Sequence, residues 1–150
     1  MTRTDDLTDQ IRTVVDARRD TAVDLLRSFV AIPSVTGAEG AVQNEIERSF
    51  RERELTIDRW EATAEEIAGY EDHVGFQTVF ENRPNLAATR KGIGGGRSIL
   101  LNAHIDTVEN GDPATWTRDP NGGEVVGDLM YGRGSCDMKG GLVTFLTALD

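Results

Sequence analysis

The segment Ser98-Ile99-Leu100-Leu101-Asn102-Ala103 constrains the architecture of this 150-residue chain more than any other. Its apolar run reads as a buried strand, and such strands alternating with helical patterns indicate an α/β fold, a sheet flanked by helices on both faces. The run leads into His104-Ile105-Asp106-Thr107-Val108. After a polar loop comes Gly132-Arg133-Gly134-Ser135-Cys136-Asp137-Met138-Lys139-Gly140-Gly141, a glycine-rich turn with one central carboxylate that opens onto a helix-like stretch from Leu142.

The rest of the chain supplies the helices this reading needs. Asp6 can cap a helix from about Leu7, with Leu7, Ile11, Val14 and Val15 at helical spacing. Ala22, Leu25, Leu26 and Phe29 form a second helical pattern that can continue the first, and Pro33 stops it. Ser34-Val35-Thr36-Gly37 reads as a turn, followed by a helix with Val42, Ile46 and Phe50 on one face. Residues 55–60 alternate as a half-buried strand does. Residues 61–84 show no clear period and read as an irregular insertion, residues 85–90 as a short strand, and residues 124–131 as a hairpin broken at Gly127-Asp128. Leu142, Phe145, Leu146 and Leu149 are still building an apolar helix face where the sequence ends, without a glycine or asparagine stop signal. The expectation is therefore a domain truncated in mid-helix.

Composition narrows the function classes. A net charge of −10 disfavours nucleic-acid and anionic-membrane partners, which need basic faces. Lys91 and Lys139 are the only lysines beside 26 acidic residues, a balance expected of a protein adapted to high salt, where screening suppresses self-repulsion. Cys136 is the sole cysteine, so no intrachain disulfide can form. The polar, acidic start and the lack of any run near the ~18 apolar residues of a membrane span predict a cytoplasmic protein.

His104 and Asp106 are two apart in an extended segment and so face the same side, at the carboxyl end of a strand, where α/β folds collect ligands. On spacing alone they are either a metal ligand with its orienting carboxylate or a strand-end hydrogen-bonded pair. Asp137 likewise is either a ligand held in a sharp turn or the N-cap of the following helix.

The composite pattern decides between these. His-x-Asp-x-Val, then Tyr131-Gly132-Arg133-Gly134, a small pair and Asp137-Met138-Lys139-Gly140-Gly141, resembles the dinuclear-zinc amidohydrolases and peptidases that include acetylornithine deacetylase, succinyl-diaminopimelate desuccinylase, aminoacylase and carboxypeptidase G. Trp116-Thr117-Arg118-Asp119-Pro120 with Gly122-Gly123, and Arg83-Pro84-Asn85-Leu86, are supporting matches, so the resemblance runs from about Leu25 to the end. It implies that residues 1–150 are the N-terminal part of a catalytic domain with a mixed sheet flanked by helices. His104 is then a ligand of one metal, and Asp137 the carboxylate bridging two ions about 3.5–4 Å apart. Asp106 is the catalytic-site aspartate that clamps the imidazole, and Asp137-Met138 is a candidate cis peptide. The implied cofactor is a pair of zinc ions, with cobalt as a possible substitute. The implied substrate is an N-acyl amino acid or a short peptide, and the implied full-length form is a homodimer.

The family's adjacent glutamate pair, which supplies the general base, its other ligands and its dimerisation domain have no counterpart in this sequence. Glu65-Glu66 reads as solvated surface and His73 as an exposed side chain in the irregular segment. Residues 92–96 read as a turn, because no Gly-Lys-Ser/Thr follows them. Cys136 reads as a packing residue, and Trp60 and Trp116 as core or rim. The favoured reading is a metal-dependent deacylase whose present portion is inactive alone. The alternatives are a metallopeptidase of the same family, distinguished by a panel of N-acyl amino acids and dipeptides, and a non-catalytic remnant.

Overall fold

The computed structural model describes residues 3–74 and 79–150. Its elements in chain order are α1 (Arg3–Ala17), α2 (Arg19–Val30), α3 (Gly40–Glu52), β1 (Thr56–Trp60), α4 (Ala64–Ile67), α5 (Glu71–Val74), β2 (Asn85–Thr89), a 3-10 turn (Pro113–Thr115), β3 (Glu124–Val126), β4 (Leu129–Tyr131), a wide kinked turn (Ser135–Lys139) and α6 (Gly140–Leu149). The α/β character expected from the sequence is present.

The apolar periodicity works as amphipathic burial predicts for α2, α3 and α6. Phe29 of α2, Val42 and Ile46 of α3, and Val143 and Leu146 of α6 close around Ile105 to form the core. Ile105 is the residue between His104 and Asp106, so the core grips the middle of the His-x-Asp segment and turns its two polar neighbours outward. The two helical patterns form separate helices, α1 and α2, and α1 begins at Arg3, which places Asp6 inside the helix instead of at its cap. The α1 stripe stays open: Leu7, Ile11, Val14 and Val15 are 50–56% exposed.

The described strands pair antiparallel, in two separate two-stranded sheets. Antiparallel β1 and β2 pair from Thr56 with Thr89 to Trp60 with Asn85. Antiparallel β3 and β4 form the expected hairpin, with Gly127 at φ 60° in its two-residue turn. A single parallel bridge joins Val35 to Thr107.

The expected buried strand at residues 98–103 is corrected by the structure. These residues belong to no ladder among the described residues, and Ile99 and Leu100 are 82% and 90% exposed. An extended segment becomes a strand only when a neighbour takes up its N–H and C=O groups, and no described segment lies alongside to do so.

Residues 61–84 are less irregular than expected. Thr63 accepts a hydrogen bond from the Glu66 N–H at 3.2 Å, and the Glu66 carboxylate accepts one from the Thr63 N–H at 2.9 Å. This capping box starts the one-turn α4, and its Thr-x-x-Glu signal was present in the sequence. Glu65 and Glu66 are exposed, as is His73 in α5. Residues 75–78 of the segment lie outside the described residues.

Candidate metal centre

The two segments carrying the candidate ligands are set in place by the connection after α2. Thr107 N–H donates to the Ser34 carbonyl at 2.8 Å and Thr36 N–H donates to the Thr107 carbonyl at 3.1 Å. The buried Ser34 hydroxyl adds a bond to the Ile105 carbonyl at 2.8 Å. On the other side, the Ser135–Lys139 turn packs against the same connection. Gly134, at φ 79°, brings its backbone so close to Thr107 that a Cβ would stand 2.6 Å from the threonine methyl. Only glycine combines that conformation with that approach.

This framework brings the three predicted residues together. His104 Nε2 lies 2.8 Å from Asp137 Oδ1, and His104 Nδ1 lies 3.1 Å from both the carboxylate and the backbone carbonyl of Asp106. The imidazole is thus held between two carboxylates. Asp137 contributes most to raising the His104 pKa; burial opposes it and Asp106 adds to it. When protonated, the ring donates from both nitrogens, to Asp137 and to Asp106. Asp137 sits where the chain kinks, at φ −125° and ψ 99°, two residues before the Lys139 N-cap position of α6, so it does not cap that helix, and the Asp137–Met138 peptide is cis, as the resemblance implied.

The donor chemistry suits a divalent ion: one imidazole nitrogen and one carboxylate oxygen converge on one point. Ligand atoms about 2.0–2.2 Å from a tetrahedral ion stand about 3.3–3.6 Å apart, wider than the present 2.8 Å contact. Asp137, whose side chain is 86% exposed, has room for that adjustment. The set is short, however. Among the described residues no group of three or more His, Cys, Asp or Glu side chains is disposed to hold a metal ion.

A cleft of about 250 Å³ opens over His104, Asp106 and Asp137, with Val108, Arg133 and Cys136 on its border. Cys136 is exposed there, which corrects its assignment to packing. The Arg133 guanidinium stacks on Trp116 at 5.1 Å, and Trp116 Nε1 donates to the Asn110 carbonyl at 2.7 Å, so Trp116 serves the rim. A larger groove of about 990 Å³ between α1, α2 and α6 is apolar and lies away from these groups.

Two participants escaped the sequence reading. Thr36, assigned only to a turn, donates its hydroxyl to Asp106 Oδ2 at 2.6 Å. Lys139, 1% exposed, donates to the carbonyls of Phe29 and Ile32, each at 2.9 Å. Burial pushes its pKa down to about 8, while the two carbonyls favour keeping the proton. A lysine two residues beyond Asp137, in a chain with only two lysines, was the available signal.

Residues 100–150 match the profile of peptidase family M20/M25/M40. The chain is also similar to succinyl-diaminopimelate desuccinylase of Methylocella silvestris, 35% identical over 85% of this chain and 29% of the relative. The enzyme of the same name from Cereibacter sphaeroides is 36% identical over 84% of this chain and 28% of the relative. That of Sphingopyxis alaskensis is 33% identical over 84% and 29%. The chain therefore spans less than a third of the length of these curated relatives. The His-x-Asp segment and the glycine-rich Asp137 turn both lie inside the matched region, so the chain is similar to peptidase family M20/M25/M40 where its candidate ligands sit.

Proposed function

We propose that this chain carries part of the active site of a metal-dependent hydrolase that cleaves the amide bond of an N-acyl amino acid. The observation that carries the reading is the placement of His104 between Asp106 and Asp137 at the base of a cleft. The names of the similar desuccinylases favour a deacylase over a peptidase, and an acylated amino acid as the substrate class.

In this reading His104 Nε2 and Asp137 hold the metal, with Asp137 bridging two zinc ions, for which cobalt can substitute. A bound divalent ion polarises a carbonyl and lowers the pKa of water. The chain's own residues prepare for it. Asp106 accepts the Nδ1 proton, which leaves the Nε2 lone pair directed at the ligand position and raises its basicity. Asp137 supplies negative charge at the same point, and the cleft leaves room for an acyl group beside it. A catalytic zinc needs about three protein ligands and a general base, more than His104 and Asp137 provide. Residues outside this sequence supply the remainder, and the full-length form is a cytoplasmic homodimer. The 150-residue chain alone takes up metal weakly and hydrolyses nothing.

Zinc titration by calorimetry on the chain, His104→Ala and Asp137→Ala tests the ligand assignment. The expected result is a weak uptake that both substitutions abolish. Equal heats from all three proteins, or chelator-sensitive hydrolysis of N-acyl amino acids by the chain alone, would sink it.

A further inference from the structure

The Asp106 carboxylate uses both oxygens: Oδ1 faces His104 Nδ1 at 3.1 Å and Oδ2 accepts the Thr36 hydroxyl at 2.6 Å. The terminal torsion of an aspartate is broad, so one contact alone leaves the carboxylate free to swing. Asp106 is also open to water, with 38% of its side chain exposed. A second fixed partner is what turns it into a rigid support for a ring.

Thr36 is suited to that task. Its β-branched side chain is stiff at χ1. Its own N–H is tied to the Thr107 carbonyl at 3.1 Å, one residue beyond Asp106, so hydroxyl and carboxylate are carried on paired backbone. The same connection is anchored at its other end by Lys139, whose ammonium binds the Phe29 and Ile32 carbonyls. Residues 32–36 thereby link the turn that carries Asp137 to the segment that carries His104.

We propose that Thr36 is a positioning residue of this site, whose hydroxyl locks the Asp106 carboxylate so that it holds the His104 imidazole in its ligating orientation. The inference rests on the metal-hydrolase reading for its functional meaning, but the geometry it asserts exists without metal. The ionised Asp106 carboxylate can only accept, so Oδ2 takes the Thr36 hydroxyl while Oδ1 faces His104 Nδ1, and the threonine contact fixes the plane of the carboxylate. Valine at this position keeps the shape and removes the donor, and serine keeps the donor and loses a methyl.

The test compares the 150-residue chain with Thr36→Val and Thr36→Ser by NMR, at one fixed pH and without metal. The signals read are the His104 Nδ1–H resonance, its exchange with water, and the protection of the Thr36 and Thr107 amides. The expected result is that Thr36→Val speeds Nδ1–H exchange by about 10-fold or more, on the scale by which such supporting contacts act. The two amides stay protected, and Thr36→Ser behaves as the parent. Unchanged exchange in Thr36→Val overturns the inference, as does a parent chain with no protected Nδ1–H. Loss of amide protection together with the Nδ1–H signal also overturns it, because the threonine would then serve only to hold the backbone. Zinc titration of the parent separates the two ideas: a Thr36-dependent Nδ1–H in a chain that takes up no zinc sinks the metal reading and leaves the positioning role standing.

Discussion

The Lys139 ammonium lies 2.9 Å from the Phe29 carbonyl, joining the turn after Asp137 to the last turn of α2 across 110 residues of chain. Its second bond, to the Ile32 carbonyl, is of equal length. The Phe29 carbonyl also accepts from the Ile32 N–H at 3.3 Å, so the Ile32 carbonyl leans more heavily on the ammonium. Lys139→Met keeps most of the packing and removes this donor, so the chain should lose about 1–3 kcal/mol of stability, the cost of about one unsatisfied group. Urea unfolding measures this; a loss below about 0.5 kcal/mol would mean that water replaces the ammonium.

Glu39 and Arg83 form a bidentate pair at 2.7 and 2.9 Å, with little exposure on either side. Burial acts to raise the Glu39 pKa, but the Arg83 guanidinium and the Gly37 N–H outweigh it and hold the carboxyl below its ordinary value of 4.5. A folded-state pKa below the unfolded one contributes stability that is present above the unfolded value and lost as pH falls through the folded one. Glu39→Gln should therefore cost stability at pH 7, about 2 kcal/mol for the loss of a charge-assisted pair while Arg83 keeps its bond to the Val79 carbonyl, and remove part of the acid-induced loss. Unfolding curves for both proteins at pH 7 and through the acid range check this, and parallel curves would contradict it.

These contacts show where the sequence was informative and where it was silent. The helical periodicity around Phe29, Val42, Ile46 and Leu146 was legible because burying one face of a helix demands a repeating pattern. The meeting of His104, Asp106 and Asp137 was legible through the resemblance of their segments, since spacing alone allowed structural roles for all three. Residues 98–103 misled because an apolar run records a preference for burial, while a ladder requires a neighbour that the run itself does not encode. Thr36 and Lys139 were silent for a different reason. Thr36 acts through one long-range side-chain hydrogen bond and Lys139 through two, contacts that leave no periodic signature.

Salt should stabilise the chain. It carries 26 acidic against 16 basic side chains, and its net charge of −10 makes the folded state repel itself. Opposing this, surface pairs such as Arg51 with Glu47 and Arg12 with Asp9 weaken as salt screens them. Exposed pairs contribute only about 0–1 kcal/mol each, so relief of the net repulsion should dominate. The midpoint of thermal unfolding is expected to rise as salt goes from 0.01 to 1 M and the screening length shrinks from about 30 to about 3 Å. An equal or lower midpoint at high salt would remove the high-salt reading of the composition.

Metal and proton should compete for His104. Its pKa is raised first by the Asp137 contact, against burial, and then by Asp106. Because the folded value lies above the unfolded one, this charge contributes stability that is complete below the ordinary value of 6.5 and disappears as pH rises through the folded value. Asp137→Asn and Asp106→Asn should each bring the His104 titration down, since each removes a carboxylate that favours the charged ring. NMR titration of the ring protons in the metal-free chain reads both shifts. The same proton stands where a metal would bind, so zinc uptake near neutral pH should release protons and weaken as pH falls. Calorimetry in two buffers of different ionisation enthalpy gives the number released. Zinc uptake without proton release, or uptake that strengthens in acid, would show that His104 Nε2 is not the ligand.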